Sequence, residues 1–245
     1  MPCRRARLGS ARLGSAGSYD ESQRRYSEAL QLVGDDDASN LRNTILNNSA
    51  FTYFLSHEMS EALAAVDHLL RVSAINDRPL AMHVRDTVGR VYLTAGRVAE
   101  AERVLAPAMD AQATEFVPET VATCLVTLAE VHRTQGEFGR AQEVIDRCQE
   151  LCRTYELSRC AADAAREQAE IFAATGNFRG AYEAYQDFHS RIEAHSASSR
   201  EARGKLLKAA FQTTEARRET ARYHDLAERD PLTLACTTAG TLTSS

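Results

Sequence analysis

Tryptophan is absent from this 245-residue chain, aromatic residues make up 7% of it, and it holds only 5 prolines and 12 glycines. So little aromatic and turn-forming material leaves few means of building strands and tight hairpins. Long apolar runs are missing as well: none approaches the roughly 18 residues needed to span a bilayer. The basic start (Arg4, Arg5, Arg7, Arg12) leads into Gly and Ser and not into an apolar secretory core, so a cytoplasmic location and no membrane partner are expected. Excess positive charge is missing too. With 29 Lys+Arg against 34 Asp+Glu the formal charge is −5, which offers no basic footprint for nucleic acid. The 6 cysteines lack the dense, regular spacing of a disulfide framework, and reduced thiols are the expectation. What remains, 44% apolar and 26% charged residues in Ala-, Glu-, Arg- and Leu-rich stretches, predicts an all-α fold with a sizeable core.

The chain repeats itself. Ala62, Ala101, Ala141 and Ala181 hold equivalent places at separations of 39, 40 and 40 residues. Each is preceded by a small residue (Ala50, Gly89, Ala129, Ala169) and, three positions on, by a ring (Tyr53, Tyr92, His132, Phe172). That is the spacing of one helix face. The small residue lets two helices approach, the ring fills the space beside it, and Gly96, Gly136 and Gly176 are placed to end the first helix in a left-handed cap. Each unit reads as a helical hairpin. Pro79 and Pro118 fall in two of the junctions between units, where a fixed φ and a missing N–H do least harm.

This grammar resembles the tetratricopeptide repeat family over roughly residues 17–195, as an α-solenoid whose period of about 40 exceeds the usual ~34 and implies longer helices or turns. A partial unit precedes the four: Gly17, Tyr19, Ser22, Tyr26 and Ala29 match a second helix that has no first. In its place Ala6-Arg7-Leu8-Gly9-Ser10 recurs as Ala11-Arg12-Leu13-Gly14-Ser15, so residues 1–16 are expected to be a disordered low-complexity segment and the natural start to lie upstream of Met1.

Beyond residue 195, Ser196-Ala197-Ser198-Ser199 marks an expected break before residues 196–229, a charged, Ala-rich segment. Its apolar stripe (Leu206, Leu207, Ala210, Phe211, Tyr223, Leu226) is ragged, and it predicts a long connecting or signalling helix through which the chain could homodimerise. Leu226-Ala227-Glu228-Arg229-Asp230-Pro231-Leu232-Thr233 then resembles the entry to a GGDEF-type diguanylate cyclase domain, with Asp230, Leu232 and Thr233 as the domain-entry motif. The match stops at Thr233, and residues 234–245 carry neither charge nor helical pattern. Back-translated with permitted codons and read one nucleotide earlier, residues 235–244 spell Gly-Leu-His-Asn-Arg-Arg-Tyr-Val-Asp-Glu, the continuation of that signature. The tail is therefore expected to be out of frame.

The resemblance implies a regulatory module for cyclic-di-GMP signalling. GTP and Mg belong to catalytic residues beyond position 233, so no cofactor and no catalysis are expected of this chain. A free-standing repeat scaffold, or the sensor arm of a transcriptional regulator, remains the alternative. The partner would be a protein or peptide in the concave groove, met by Asn47, Asn48, His83, Asp86, Arg90, Glu130, Arg133, Arg166 and Glu170 on the first helices. Cys148, Cys152 and Cys160 are expected to be buried packing residues. His224-Asp225 lacks the surroundings of a phosphoacceptor box and reads as an exposed linker pair.

Overall fold

The structure, a computed structural model, describes residues 16–33, 41–75, 79–111 and 117–229. Among these residues there is no strand. The helices are α1 (Ala16–Val33), α2 (Leu41–Ser56), α3 (Met59–Ile75), α4 (Met82–Thr94), α5 (Val98–Leu105), α6 (Pro118–Gln135), α7 (Phe138–Thr154), α8 (Ser158–Ala174) and α9 (Phe178–Arg229), with a 3-10 turn at Ala106–Ala108. The extra length of the repeat goes mainly into the helices: α2, α3, α6, α7 and α8 have 16 to 18 residues each. Pro118 opens α6, where its missing N–H would have had no partner in any case.

One hairpin turn is used four times. Gly96, Gly136 and Gly176 have φ of 80°, 82° and 79°, and His57 takes the equivalent place in the first unit with φ 67°. The residue after each donates its N–H to the carbonyl of the ring residue five positions back: Glu58 to Tyr53, Arg97 to Tyr92, Glu137 to His132 and Asn177 to Phe172, at 2.9–3.0 Å. This is the Schellman closure, which satisfies carbonyls that a helix end would leave open. The periodic alanines Ala62, Ala101, Ala141 and Ala181 each donate to the residue four before, starting the second helix.

Packing follows the predicted face. Ala50, Gly89, Ala129 and Ala169 are buried, with Tyr92 and His132 buried beside them. The hairpins α2/α3, α4/α5 and α6/α7 pack internally, first helices pack on first helices (α2 on α4, α4 on α6, α6 on α8), and α1 covers α2 as the partial unit requires. One core runs from Leu46 to Ile171. The last second helix is barely covered: Tyr185 is 40% exposed where its equivalent Ile145 is fully buried.

Two compact units divide at residues 191 and 192. The expected break at Ser196–Ser199 does not occur: α9 is helical without interruption from Phe178 to Arg229. Serine costs only a few tenths of a kcal/mol in an exposed helix, and neither Gly nor Pro stands there to stop it. Residues 196–225 are exposed throughout. Segments 1–15 and 230–245, which hold the low-complexity start, the domain-entry motif Asp230, Leu232 and Thr233 and the expected out-of-frame tail, lie outside the described residues. No helix among the described residues is long and apolar enough to cross a membrane.

Candidate partner-binding face on the first helices

The repeat register explains how α2, α4, α6 and α8 present polar groups. Asn47 and Asn48 are neighbours in a helix and so point about 100° apart; Asn47 is 6% exposed and Asn48 is open to solvent. Only one of the pair can share a given strip of the face. One turn before Asn47 lies Asn43, which the sequence reading missed. Asn43 falls at the repeat position that Met82, Ala122 and Ala162 fill, each of them buried. A polar amide in an apolar slot was the available signal.

The side-chain oxygens of Asn43 and Asn47 are both buried, and neither has a hydrogen-bond donor among the described residues. Asn43 lines a cavity of about 490 Å³ together with Thr44, Ser73, Leu80, Val84 and the exposed His83. A buried amide oxygen left without a donor costs about 1–3 kcal/mol.

Further along, the predicted charges are drawn into internal pairs. Arg90 Nε donates to Asp86 Oδ2 at 2.9 Å, and Thr127 Oγ1 of α6 donates to Asp86 Oδ1 at 2.8 Å, tying α4 to α6. Burial works against the Arg90 cation, but Asp86, with Glu130 and Asp163 behind it, outweighs that loss and holds the guanidinium above its usual pKa. Arg133 donates through Nε to Glu167 Oε1 at 2.5 Å and through Nη2 to Oε2 at 3.3 Å, with Glu130 3.9 Å away on its own helix. Glu167 is 1% exposed. Burial pushes its carboxyl above the usual range while Arg133 pulls it back. Sequence reading passed over Glu167, although it stands at the buried repeat position of Thr87 and Thr127. Arg166 and Glu170 stay exposed on α8, beside this pair and not within it.

A second polar knot sits at the α6/α7 turn. Glu102, His132 and Glu137 bring ligand atoms within 4.8 Å of one another, a geometry open to a divalent ion. The Arg140 guanidinium already bridges both carboxylates, at 2.6 Å to Glu137 and 3.0 Å to Glu102, while His132 Nδ1 lies 3.1 Å from Glu137. A resident cation therefore does there what a metal would do.

The thiols are buried as expected. Hydrogen bonding from Cys148, aided by Arg191, holds the Cys152 thiol below its usual pKa; its partner Cys148 is pushed up. Burial pushes Cys160 up to about 12. His224 and Asp225 lie exposed on α9.

No family model matches the chain, and no curated protein matches it significantly. Solved structures do. The chain is similar to a Podosopora anserina protein of nearly identical TPR-like repeats, named as a kinesin light chain. A single-substitution form of that protein superposes with a TM-score of 0.58 at 17% identity, over 74% of this chain and 90% of that one. A second solved form gives 0.56 at 16% identity, over 73% and 89%. MamA superposes with a TM-score of 0.51 at 13% identity, over 74% and 92%. At such identities the likeness is one of fold: an all-α, TPR-like solenoid of helical hairpins.

Proposed function

We propose that this chain is a protein-interaction module whose first-helix face takes an extended peptide segment of a partner. The observation that carries the reading is the pair of buried amide oxygens of Asn43 and Asn47, which have no donor among the described residues. Four residues of helix separate them by about 6 Å along the axis. Same-side N–H groups of an extended chain recur about every 6.7 Å. A side-chain amide can accept a main-chain N–H and return a donor to a main-chain carbonyl, so two in register suit a peptide backbone. His83 and the cavity beside Asn43 would receive a side chain.

Peptide-library selection against the full chain tests this. Asn43→Met/Asn47→Ala should stabilise the free chain and weaken the selected peptides at least tenfold. Failure to select any peptide, or affinities indifferent to the pair, would overturn the reading.

In the same reading the module regulates a diguanylate cyclase, supported by Asp230, Leu232 and Thr233 and by the alternative frame over residues 235–244. The chain then has no catalytic role or cofactor of its own, GTP and Mg belonging to the cyclase domain. Sequencing the source locus downstream of the Thr233 codon tests it: a GGDEF frame is expected, and its absence leaves the free-standing scaffold.

A specific pattern favours self-association through α9. Ser199, Ala202, Leu206, Ala209, Thr213, Ala216, Thr220 and Tyr223 alternate strictly by three and four, and none is charged. That is the heptad spacing of a coiled-coil seam, filled here mostly by small residues around Leu206 and Tyr223. A parallel pairing sets Lys205 against Ala210, Gln212 against Arg217 and Glu219 against His224, with no like charges opposed. Sedimentation equilibrium should find a dimer that Ala209→Glu dissociates; a monomeric parent chain would exclude the seam.

A further inference from the structure

Cys148 and Cys152 lie one turn apart on α7 with their sulfurs 4.0 Å apart. Both are buried, at 0% and 3% exposure, and both are free thiols. The repeat does not demand this pairing: the corresponding residues are Leu69 and Ser73 in the first unit and Phe188 and Ile192 in the last. Packing alone is satisfied there by several side chains, whereas only this unit sets two sulfurs face to face. Cys160, at the start of α8, is buried as well but does not complete a three-donor cluster with them.

One sulfur of the pair is also reachable. Cys152 forms part of the wall of a cavity of about 430 Å³, shared with Gln149, Arg153, Leu157, Asp187 and Arg191. Arg153 and Arg191 stand in the same wall, each paired with a carboxylate (Glu150 and Asp187), with Glu156 beside them.

We propose that Cys148 and Cys152 form a two-thiolate binding site for a soft, thiophilic ion of the Cu(I) class. Two thiolates on one linear, two-coordinate centre with metal–sulfur bonds of about 2.3 Å stand about 4.6 Å apart, so the observed 4.0 Å opens to it by a small side-chain rotation. Soft thiolates select soft ions. Structural zinc takes four protein ligands, and two sulfurs fall short of that, which favours an ion content with two. On binding, two S–H bonds are exchanged for two S–Cu bonds and two protons leave to solvent. The copper stays Cu(I), and the bis-thiolate carries one negative charge.

The test uses the full chain carrying Cys3→Ser and Cys236→Ser, titrated against Cu(I) held by a chromophoric chelator. One Cu(I) per chain should be withdrawn. Cys148→Ser and Cys152→Ser should each weaken uptake at least tenfold, and Cys160→Ser and Cys124→Ser not at all. Circular-dichroism melts accompany each variant, and Cys148→Ala replaces the serine variant where the buried hydroxyl unfolds the chain. No withdrawal by the parent, uptake surviving loss of both Cys148 and Cys152, or tighter binding of Zn²⁺ than of Cu(I) at these cysteines would overturn the assignment.

Discussion

Gly89 on α4 rests directly on Leu105 of α5: a methyl group at Gly89 would lie 2.6 Å from both Cγ and Cδ1 of Leu105. This close approach holds the second hairpin together, and both residues are buried. Gly89→Ala gains about 1 kcal/mol of helix propensity but overpacks a filled site at about 1–3 kcal/mol. A net loss of about 1 kcal/mol is expected in urea unfolding. Combining it with Leu105→Ala should give less than the sum of the two single losses, because each change relieves the other; strict additivity would show that the two do not touch in solution.

Gly136 poses the opposite problem. Its φ of 82° is left-handed, yet nothing lies within 4 Å of where a Cβ would be. Gly136→Ala therefore meets backbone strain and no clash, with an expected loss of about 1–2 kcal/mol. No neighbouring truncation should rescue it. A loss recovered by trimming a nearby side chain would mean that space, not conformation, is the constraint.

The two glycines show what a sequence makes legible. The caps at Gly96, Gly136 and Gly176, the small residues Ala50, Gly89 and Ala129 and the hairpin starts were readable, because each obeys a local rule repeated at a fixed period. His57 obeys the same rule without being glycine, so composition hides it while register reveals it. The continuity of α9 through Ser196–Ser199 was misread because serine is a weak breaker when no turn geometry follows. Within the candidate site, charge was the visible signal: Asp86 and Arg133 proved to be cross-helix ties, while Arg90 pairs with Asp86 on its own helix. Asn43 and Glu167 went unread, since their significance lies in standing where the other repeats place apolar residues or threonine.

Arg133 and Glu167 join α6 to α8 at a position where Glu167 is shut off from solvent and Arg133 is only partly exposed. Removing one partner leaves the other buried and uncompensated, so Arg133→Met should cost about 3–5 kcal/mol. Arg133→Met/Glu167→Leu removes both desolvation penalties and is expected to fall within about 1 kcal/mol of the parent chain or above it. The double-mutant cycle in chemical denaturation reads the coupling. A double variant as unstable as Arg133→Met would make the pair a requirement of the fold and not a replaceable tie.

The Glu167 carboxyl also gives the fold a pH dependence whose sign can be worked out. Burial raises its pKa in the folded chain above the ordinary value of 4.5, with Arg133 opposing. The folded state then holds this proton more tightly than the unfolded state does. Its contribution to stability is full below the unfolded pKa and declines as pH rises through the higher folded pKa. Glu167→Gln keeps the shape and removes the titration. The gap in stability between Glu167→Gln and the parent should therefore shift in favour of the glutamine variant as pH is raised from about 4 to 7. Exposed carboxylates such as Glu21 and Glu100, held low by their arginine partners, act in the opposite sense and are common to both chains, so they cancel in the difference. A gap that moves toward the parent with rising pH would mean that Arg133 outweighs burial, and that the ion pair, not the proton, keeps Glu167 in the core.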